Sequence, residues 1–298
     1  MSSKKKAEII DGKKVAALVK EEIKAKVAAM IDNDIRAPHL VAVIVGEDPA
    51  SQTYVASKEK AAKTLGMMSS VYRLDVDVAE EELINTIDFL NNDPEVDGFI
   101  VQLPLPDHIN VDRVIQRIDP AKDVDGFHPV NVGRMALGQP AYVSATPAGI
   151  MELLKRYDIE TEGKHCVVLG RSNIVGSPMS ILMSKKASPG NATVTVCHSR
   201  TKDMASYTRS ADILICAIGQ PQFITADMVK EGAVVIDVGI HRIPADNEKG
   251  YKLAGDVDFE EVQKKAGYIT PVPGGVGPMT IAMLLKNTLS AAEKTFYP

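Results

Sequence analysis

Short apolar runs alternate with amphipathic stretches through the first hundred residues. From residue 11 to 30 the apolar positions Val15, Leu18, Val19, Ile23 and Val27 fall on one stripe, which predicts a helix. Residues 40–45 are continuously apolar and largely β-branched, as in a strand covered on both faces. Gly46 to Pro49 turns the chain, and a second helix carrying Tyr54 and Lys58 follows. Residues 69–74 predict a strand, and 80–90 a helix with Leu83, Ile84, Ile87 and Leu90 in register. A short strand at 98–101 runs into Gln102-Leu-Pro-Leu-Pro106, where proline cannot continue a ladder. A short helix is expected at 111–118, and 119–139, rich in Gly, Pro and Asp, reads as irregular. A β-α-β-α-β series of this kind builds a parallel sheet with helices on its faces.

A second series begins near Thr146, which reads as the cap of a helix over 147–157 with Pro147 at its first position. Strands are predicted at 165–169, 193–197, 213–217 and 233–238, with helices from Ser177, near 204–210 and at 225–230. A turn-rich stretch then leads to Pro273-Gly-Gly-Val-Gly277-Pro and a final helix over 279–294. The expected division is an α/β domain over 1–146 and a second, Rossmann-like domain over 147–278, with 279–298 packing back on the first.

Composition narrows the class. The chain has 298 residues, 24% charged and 45% hydrophobic, which suits about two globular domains. A net charge of −5 gives no support to nucleic-acid binding. No apolar run is long enough to cross a bilayer. The basic start Met-Ser-Ser-Lys-Lys-Lys precedes an amphipathic segment rather than an apolar signal core. Cys166, Cys197 and Cys216 sit in or at the end of apolar runs without pairing or metal spacing. They read as reduced core residues of a cytoplasmic protein, and no metal site is expected.

Two stretches carry candidate chemistry. Tyr54 and Lys58 are four apart and share a helix face. A phenol can stack and donate a hydrogen bond, and an ammonium can move a proton where its surroundings lower its pKa. A solvated helix face is the alternative. Short-chain dehydrogenases place Tyr-x-x-x-Lys after the nucleotide loop, and the order here is the reverse. That loop is Val167-Val-Leu-Gly170-Arg-Ser-Asn-Ile-Val-Gly176-Ser-Pro178: strand, glycine turn, helix start. Glycines let backbone approach a pyrophosphate, and a helix N-terminus offers free N–H groups. Ser172 stands where G-x-G-x-x-G has its second glycine, so a tight turn without a ligand stays open. The next strand ends at Ser199-Arg200 with no acid for a ribose hydroxyl, and Arg171 adds a cation. Hydroxyl plus guanidinium suits a 2′-phosphate, so NADP is favoured over NAD.

Six segments occur in order across nearly the whole chain: Tyr54–Lys58, Val101-Gln-Leu-Pro-Leu-Pro106, Lys122-Asp-Val-Asp-Gly126, Thr146-Pro-x-Gly149, Gly170-Arg-Ser-x-x-Val-Gly176-x-Pro178 and Pro273-Gly-Gly-Val-Gly-Pro278. Together they closely resemble the bifunctional methylenetetrahydrofolate dehydrogenase/cyclohydrolase family. Relatives often have Pro-Cys-Thr-Pro where this chain has Ser144-Ala145-Thr146-Pro147, and no step needs that thiol. The resemblance implies two α/β domains with a cleft between them, and a homodimer formed through the NADP-binding domains. The formyltetrahydrofolate synthetase domain of some relatives is expected to be absent. It implies oxidation of 5,10-methylenetetrahydrofolate with NADP, then hydrolysis of the methenyl product to 10-formyltetrahydrofolate.

By the same resemblance Lys58 is the catalytic lysine, Gln102 supports it, and Tyr54 stacks on the aminobenzoyl ring. Val55, Ala56, Ser57, Val101 and Leu103 belong to the folate site, Asp125 binds the pterin, and Pro273, Gly274, Gly275, Val276 and Gly277 line it. Gly170, Arg171, Ser172 and Ser199 hold the cofactor, and Ile240 lies near its nicotinamide end. The residues themselves agree at Asp125, since a pterin presents an edge of adjacent N–H donors that a carboxylate accepts. Asp123 reads as a solvated turn acid, and His128 and His241 as structural or solvent-facing. A monofunctional NAD(P)-dependent dehydrogenase and a binding module without turnover are the alternatives; binding alone needs neither Lys58 nor Gln102.

Overall fold

The computed structural model of the protein describes residues 6–247 and 250–297. In chain order, β1 (Glu8–Ile9), α1 (Gly12–Asp32), β2 (His39–Val45), α2 (Pro49–Thr64), β3 (Met68–Leu74), α3 (Glu80–Asn92) and β4 (Gly98–Val101) come first. Three helices follow: α4 (Val111–Arg117), α5 (Pro129–Ala136) and α6 (Ala145–Arg156). Then come β5 (His165–Leu169), α7 (Gly176–Ser184), β6 (Thr193–Cys197), α8 (Met204–Thr208), β7 (Ile213–Cys216) and β8 (Val234–Asp237). A hairpin, β9 (His241–Pro244) and β10 (Tyr251–Ala254), precedes α9 (Phe259–Val262), β11 (Tyr268–Ile269) and α10 (Val276–Ala292).

Contacts divide the chain into two compact units. One gathers the chain up to Ala16 with Thr146–Thr280, the other Ala17–Ala145 with the chain from Ile281. The smaller sheet, ordered β3-β2-β4, is parallel and lies in the second unit. A further bridge between Phe99 and Asp123 carries the ladder past β4. Burial explains the continuous apolar reading of β2: Leu40 through Val45 are all buried. Phe99 is fully buried with Leu83, Ile87 and Leu90 of α3 in one cluster. Each such side chain contributes about 2–3 kcal/mol on burial.

The larger sheet, ordered β1-β11-β8-β7-β5-β6, is parallel throughout. The chain leaves β5 for β6 on one side and returns to β7 on the other. That reversal is the switch point at which open α/β sheets bind ligands, outside the carboxyl ends of the strands.

Several expectations are corrected. The amino-terminal segment, expected in the folate-binding domain, adds β1 to the larger sheet, because backbone N–H groups of Ala7, Glu8 and Ile10 reach carbonyls of Gln263, Gly267 and Ile269. Thr146 lies inside α6 rather than capping it, and its hydroxyl meets that of Thr280 at 2.9 Å. The expected helix at 225–230 is only a 3-10 turn, Ala226–Met228. Part of the stretch read as irregular is α5, started by Pro129 and capped by His128, whose ring accepts from the Val130 N–H at 3.1 Å. The basic start, residues 1–5, lies outside the described residues.

Candidate active site

The Asp48 side chain accepts from the Ser51 N–H at 2.8 Å and caps α2, with Pro49 at its start. This sets the rotation of the helix, so Ser51, Val55, Lys58 and Ala62 share its buried face. Lys58 is only 5% exposed. Its Nζ donates to Gln102 Oε1 at 3.2 Å and lies 4.7 Å from the centre of the Tyr54 ring. Gln102 follows β4 directly, and its backbone N–H donates to Val43 at 2.8 Å. Its side-chain amide donates to the Leu103 carbonyl at 2.7 Å, so its oxygen is the atom left to face the lysine.

Burial pushes the Lys58 ammonium below the ordinary lysine range, and the charge of Asp125 acts in the opposite direction. Burial raises the Asp125 carboxyl, and Lys58 pulls it down. The structure therefore brings Tyr54, Lys58, Gln102 and Asp125 into one electrostatic group. Ala56 and Ser57 are exposed on the same helix, and Leu103 is half-buried. Val55 has no exposed surface, and Val101 is buried.

Asp123 corrects the expectation of a solvated acid. It is 1% exposed and accepts from the N–H groups of Phe127 at 3.2 Å and His128 at 2.8 Å, and from Asn131 Nδ2 at 2.9 Å. Burial pushes its carboxyl up to about 7 against these donors. It shapes the loop that carries Asp125.

In the other unit, Gly170 follows β5 at φ +109, and an added Cβ would lie 2.2 Å from the Ala217 carbonyl oxygen. A Cβ on Gly176 would lie 2.3 Å from the Gly170 oxygen. The turn is thus a bare-backbone cradle at the switch point. Ser172 Oγ accepts from the N–H groups of Val175 and Gly176 at 3.3 and 3.4 Å, holding the entry to α7. Arg171 is exposed and forms no ion pair among the described residues; Ser199, after β6, is exposed too. Ile240, after β8, is 63% exposed. Pro273 to Gly277 lead into α10 in this unit, whereas Tyr54, Lys58, Gln102 and Asp125 belong to the other. Lys13 N–H donates to the Gly274 carbonyl at 3.0 Å, which ties this loop to the start of α1.

Two further acids escaped the sequence reading. Asp256 is fully buried and accepts from the N–H groups of Ile218, Gly219 and Gln220 and from His241 Nε2, at 2.8, 3.2, 2.9 and 2.8 Å. Asp237, at the end of β8, accepts from the N–H groups of Gly239, Asp256 and Val257. Together they bracket the segments leaving β7 and β8, one of which carries Ile240. His241 is structural, as expected. The signal present in the sequence was an acid within two residues of a glycine, Asp237-Val-Gly239 and Gly255-Asp256.

A parallel sheet with a glycine cradle at its switch point, in a chain whose other α/β unit holds a buried lysine, defines a nucleotide-dependent α/β enzyme. The family model described as "Tetrahydrofolate dehydrogenase/cyclohydrolase, catalytic domain" matches residues 10–125, and that of the family's NAD(P)-binding domain matches 144–296. "Bifunctional protein FolD" of Phocaeicola vulgatus is 61% identical, covering 97% of this chain and 99% of its own. The crystal structure of the bifunctional FolD enzyme from Campylobacter jejuni is 50% identical with a TM-score of 0.91, covering 97% of this chain and 99% of that one. The Trypanosoma brucei dehydrogenase-cyclohydrolase, complexed with NADP cofactor and inhibitor, is 40% identical with a TM-score of 0.92, covering 98% and 99%. The chain belongs to the tetrahydrofolate dehydrogenase/cyclohydrolase family and is a bifunctional enzyme, carrying the catalytic and the NAD(P)-binding domain.

Proposed function

We propose that this enzyme oxidises 5,10-methylenetetrahydrofolate with NADP and hydrolyses the resulting methenyl compound to 10-formyltetrahydrofolate, with Lys58 serving the hydrolytic step. The observation that carries this is the buried Lys58, held by Gln102 and lowered in pKa by burial. Hydride transfer needs the folate held in place, not an acid or base at the methylene carbon. Hydrolysis needs water to add to the methenyl carbon and lose a proton, and the ring nitrogen to gain one. A lysine that exchanges its proton in a water-poor site supplies that, and Gln102 Oε1 orients it. Tyr54 offers its ring for stacking on the aminobenzoyl group. Ala56, Ser57 and Leu103 flank that position, and Pro273, Gly274, Gly275, Val276 and Gly277 complete the folate contacts.

The cradle at Gly170 and Gly176 fits a dinucleotide, because no Cβ fills it. Gly170 and Ser172 would hold the shared pyrophosphate, Arg171 and Ser199 the 2′-phosphate, and Ile240 the nicotinamide end. NADP, when bound, accepts the hydride. The enzyme works as a homodimer in the cytoplasm. Following NADPH and methenyl absorbance together, with methylenetetrahydrofolate and NADP as substrates, tests the whole reading: appearance of both signals followed by decay of the methenyl band is the expected course.

Two substitutions test the assignments. Arg171→Ala is expected to raise the NADP KM by about tenfold and leave NAD use nearly unchanged, since the guanidinium meets a phosphate that only NADP carries. Equal loss with both cofactors would move Arg171 to the shared pyrophosphate. Asp125→Ala is expected to weaken folate binding in both reactions by about tenfold or more, the worth of a charge-assisted hydrogen bond. Calorimetry showing wild-type affinity would remove Asp125 from the pterin.

A further inference from the structure

The Asp125 loop is gripped from the far end of the chain. Asn287 of α10 donates its side-chain amide to the Val124 carbonyl at 2.8 Å and to the Val143 carbonyl at 3.0 Å. Tyr142 donates its hydroxyl to the Ala121 carbonyl at 3.1 Å. The third grip is a relay. Asn131 is fully buried, and its Nδ2 donates both to the Pro120 carbonyl at 3.0 Å and to Asp123 Oδ2 at 2.9 Å. Two acceptors on that nitrogen fix which way the amide points. Its Oδ1 therefore faces outward, and the Tyr297 hydroxyl donates to it at 2.7 Å.

Tyr297 is itself clamped. The Arg134 guanidinium sits 4.5 Å from the centre of its ring and donates to the Phe296 carbonyl at 3.3 Å. Phe296 and Tyr297 both pack on the Tyr142 ring, at centroid distances of 5.1 and 5.8 Å. Gly126 leaves the loop at φ +71 with no room for a side chain, since a Cβ would lie 2.6 Å from the Ser144 nitrogen. The backbone on either side of Asp125 is thus held by Asn131, Tyr142 and Asn287. Among the described residues the Asp125 carboxyl makes no hydrogen bond of its own, so its place depends on that backbone.

We propose that the carboxyl-terminal tail is part of the folate-binding apparatus: Tyr297, acting through Asn131 and Asp123, is a positioning residue that sets where Asp125 stands. The inference rests on the reading of Asp125 as the group that binds the pterin. The relay has a defined direction. Loss of the Tyr297 hydroxyl leaves the Asn131 oxygen unpaired in a buried site, while its two acceptors still hold the nitrogen side in place. The side chain then shifts to find a partner for its oxygen, its donation to Pro120 and Asp123 loosens, and the loop relaxes at Asp125.

The test is steady-state kinetics of the full-length enzyme and two variants, with methylenetetrahydrofolate for oxidation and methenyltetrahydrofolate for hydrolysis. Tyr297→Phe keeps the ring on Arg134 and removes only the hydroxyl. It is expected to raise the folate KM of both reactions roughly three- to tenfold, with the NADP KM nearly unchanged and the thermal midpoint lowered only modestly by the unpaired Asn131 oxygen. Asp125→Asn is expected to raise the folate KM at least as much. A purely structural tail would instead lower the thermal midpoint and leave the folate KM alone, and that result in Tyr297→Phe overturns the relay while Asp125 stands. A folate KM unchanged in Asp125→Asn overturns the reading of Asp125, and the relay with it.

Discussion

Lys58→Met is expected to abolish cyclohydrolase activity and to leave measurable dehydrogenase activity. Methionine is apolar, is only slightly shorter and carries no proton to exchange, so the buried face of α2 is retained. What is lost is the amine beside Tyr54 and Gln102 that would take a proton from water and deliver one to nitrogen. Lys58→Arg is expected not to rescue hydrolysis, because a guanidinium stays protonated. The pH dependence has a definite sign. A lysine of ordinary pKa, about 10.4, is almost wholly charged at neutral pH. The neutral form is the base, so the hydrolytic rate rises with pH through the pKa of Lys58, and burial places that rise below the ordinary range. Asp125 acts against burial, so Asp125→Asn should move the rise to lower pH at saturating folate. A rise that moves upward, or a folded Lys58→Met enzyme that hydrolyses at the wild-type rate, is incompatible with this account.

Asp256→Ala is expected to be the most damaging single change to stability at the nucleotide end. The side chain is fully buried and accepts from three consecutive backbone N–H groups and one imidazole. Alanine leaves all four donors without that acceptor; the exposed Gly219 and Gln220 can turn toward water, while the half-buried Ile218 and His241 lose a partner the fold had supplied. Each orphaned donor costs about 1–3 kcal/mol, and relaxation of the segment recovers part of it, so a loss of about 3–5 kcal/mol is expected. That is a large share of the 5–15 kcal/mol that holds a typical protein folded, as a rough scale. Urea unfolding followed by circular dichroism measures it. His241→Ala removes a single donor and should cost about 1 kcal/mol. Equal losses in the two variants would show that the 218–220 turn is held by something other than Asp256.

Much of this was legible along the chain. β2, β4, β5, β7 and β8 were readable because each is a run of apolar residues with both faces covered, and burial of every residue in β4, β7 and β8, and of all but His165 in β5, leaves that mark. Lys58 and Gln102 could be paired only by resemblance, since nothing local brings residue 102 to a helix starting at 49. What stayed hidden depends on partners distant in sequence. Asp123 looked like a turn acid because its neighbours are Gly- and Asp-rich; its burial comes from Asn131 and the backbone of Phe127 and His128, which reach it only after α5 forms. α5 itself begins at a histidine cap, a residue type that carries no helix-start signal. The β9–β10 hairpin is half exposed, so it shows no apolar run.

The two-residue strand β1 has a consequence for how the protein is made. Glu8 and Ile9 emerge from the ribosome 260 residues ahead of their partners Tyr268 and Ile269. The three strands of the smaller sheet lie within the first hundred or so residues and can pair while translation continues. One edge of the larger sheet must wait, with its outermost strand already synthesised and unclaimed. A nascent chain stalled shortly before β11 would therefore present its amino-terminal residues to proteases that cannot cut them in the finished enzyme.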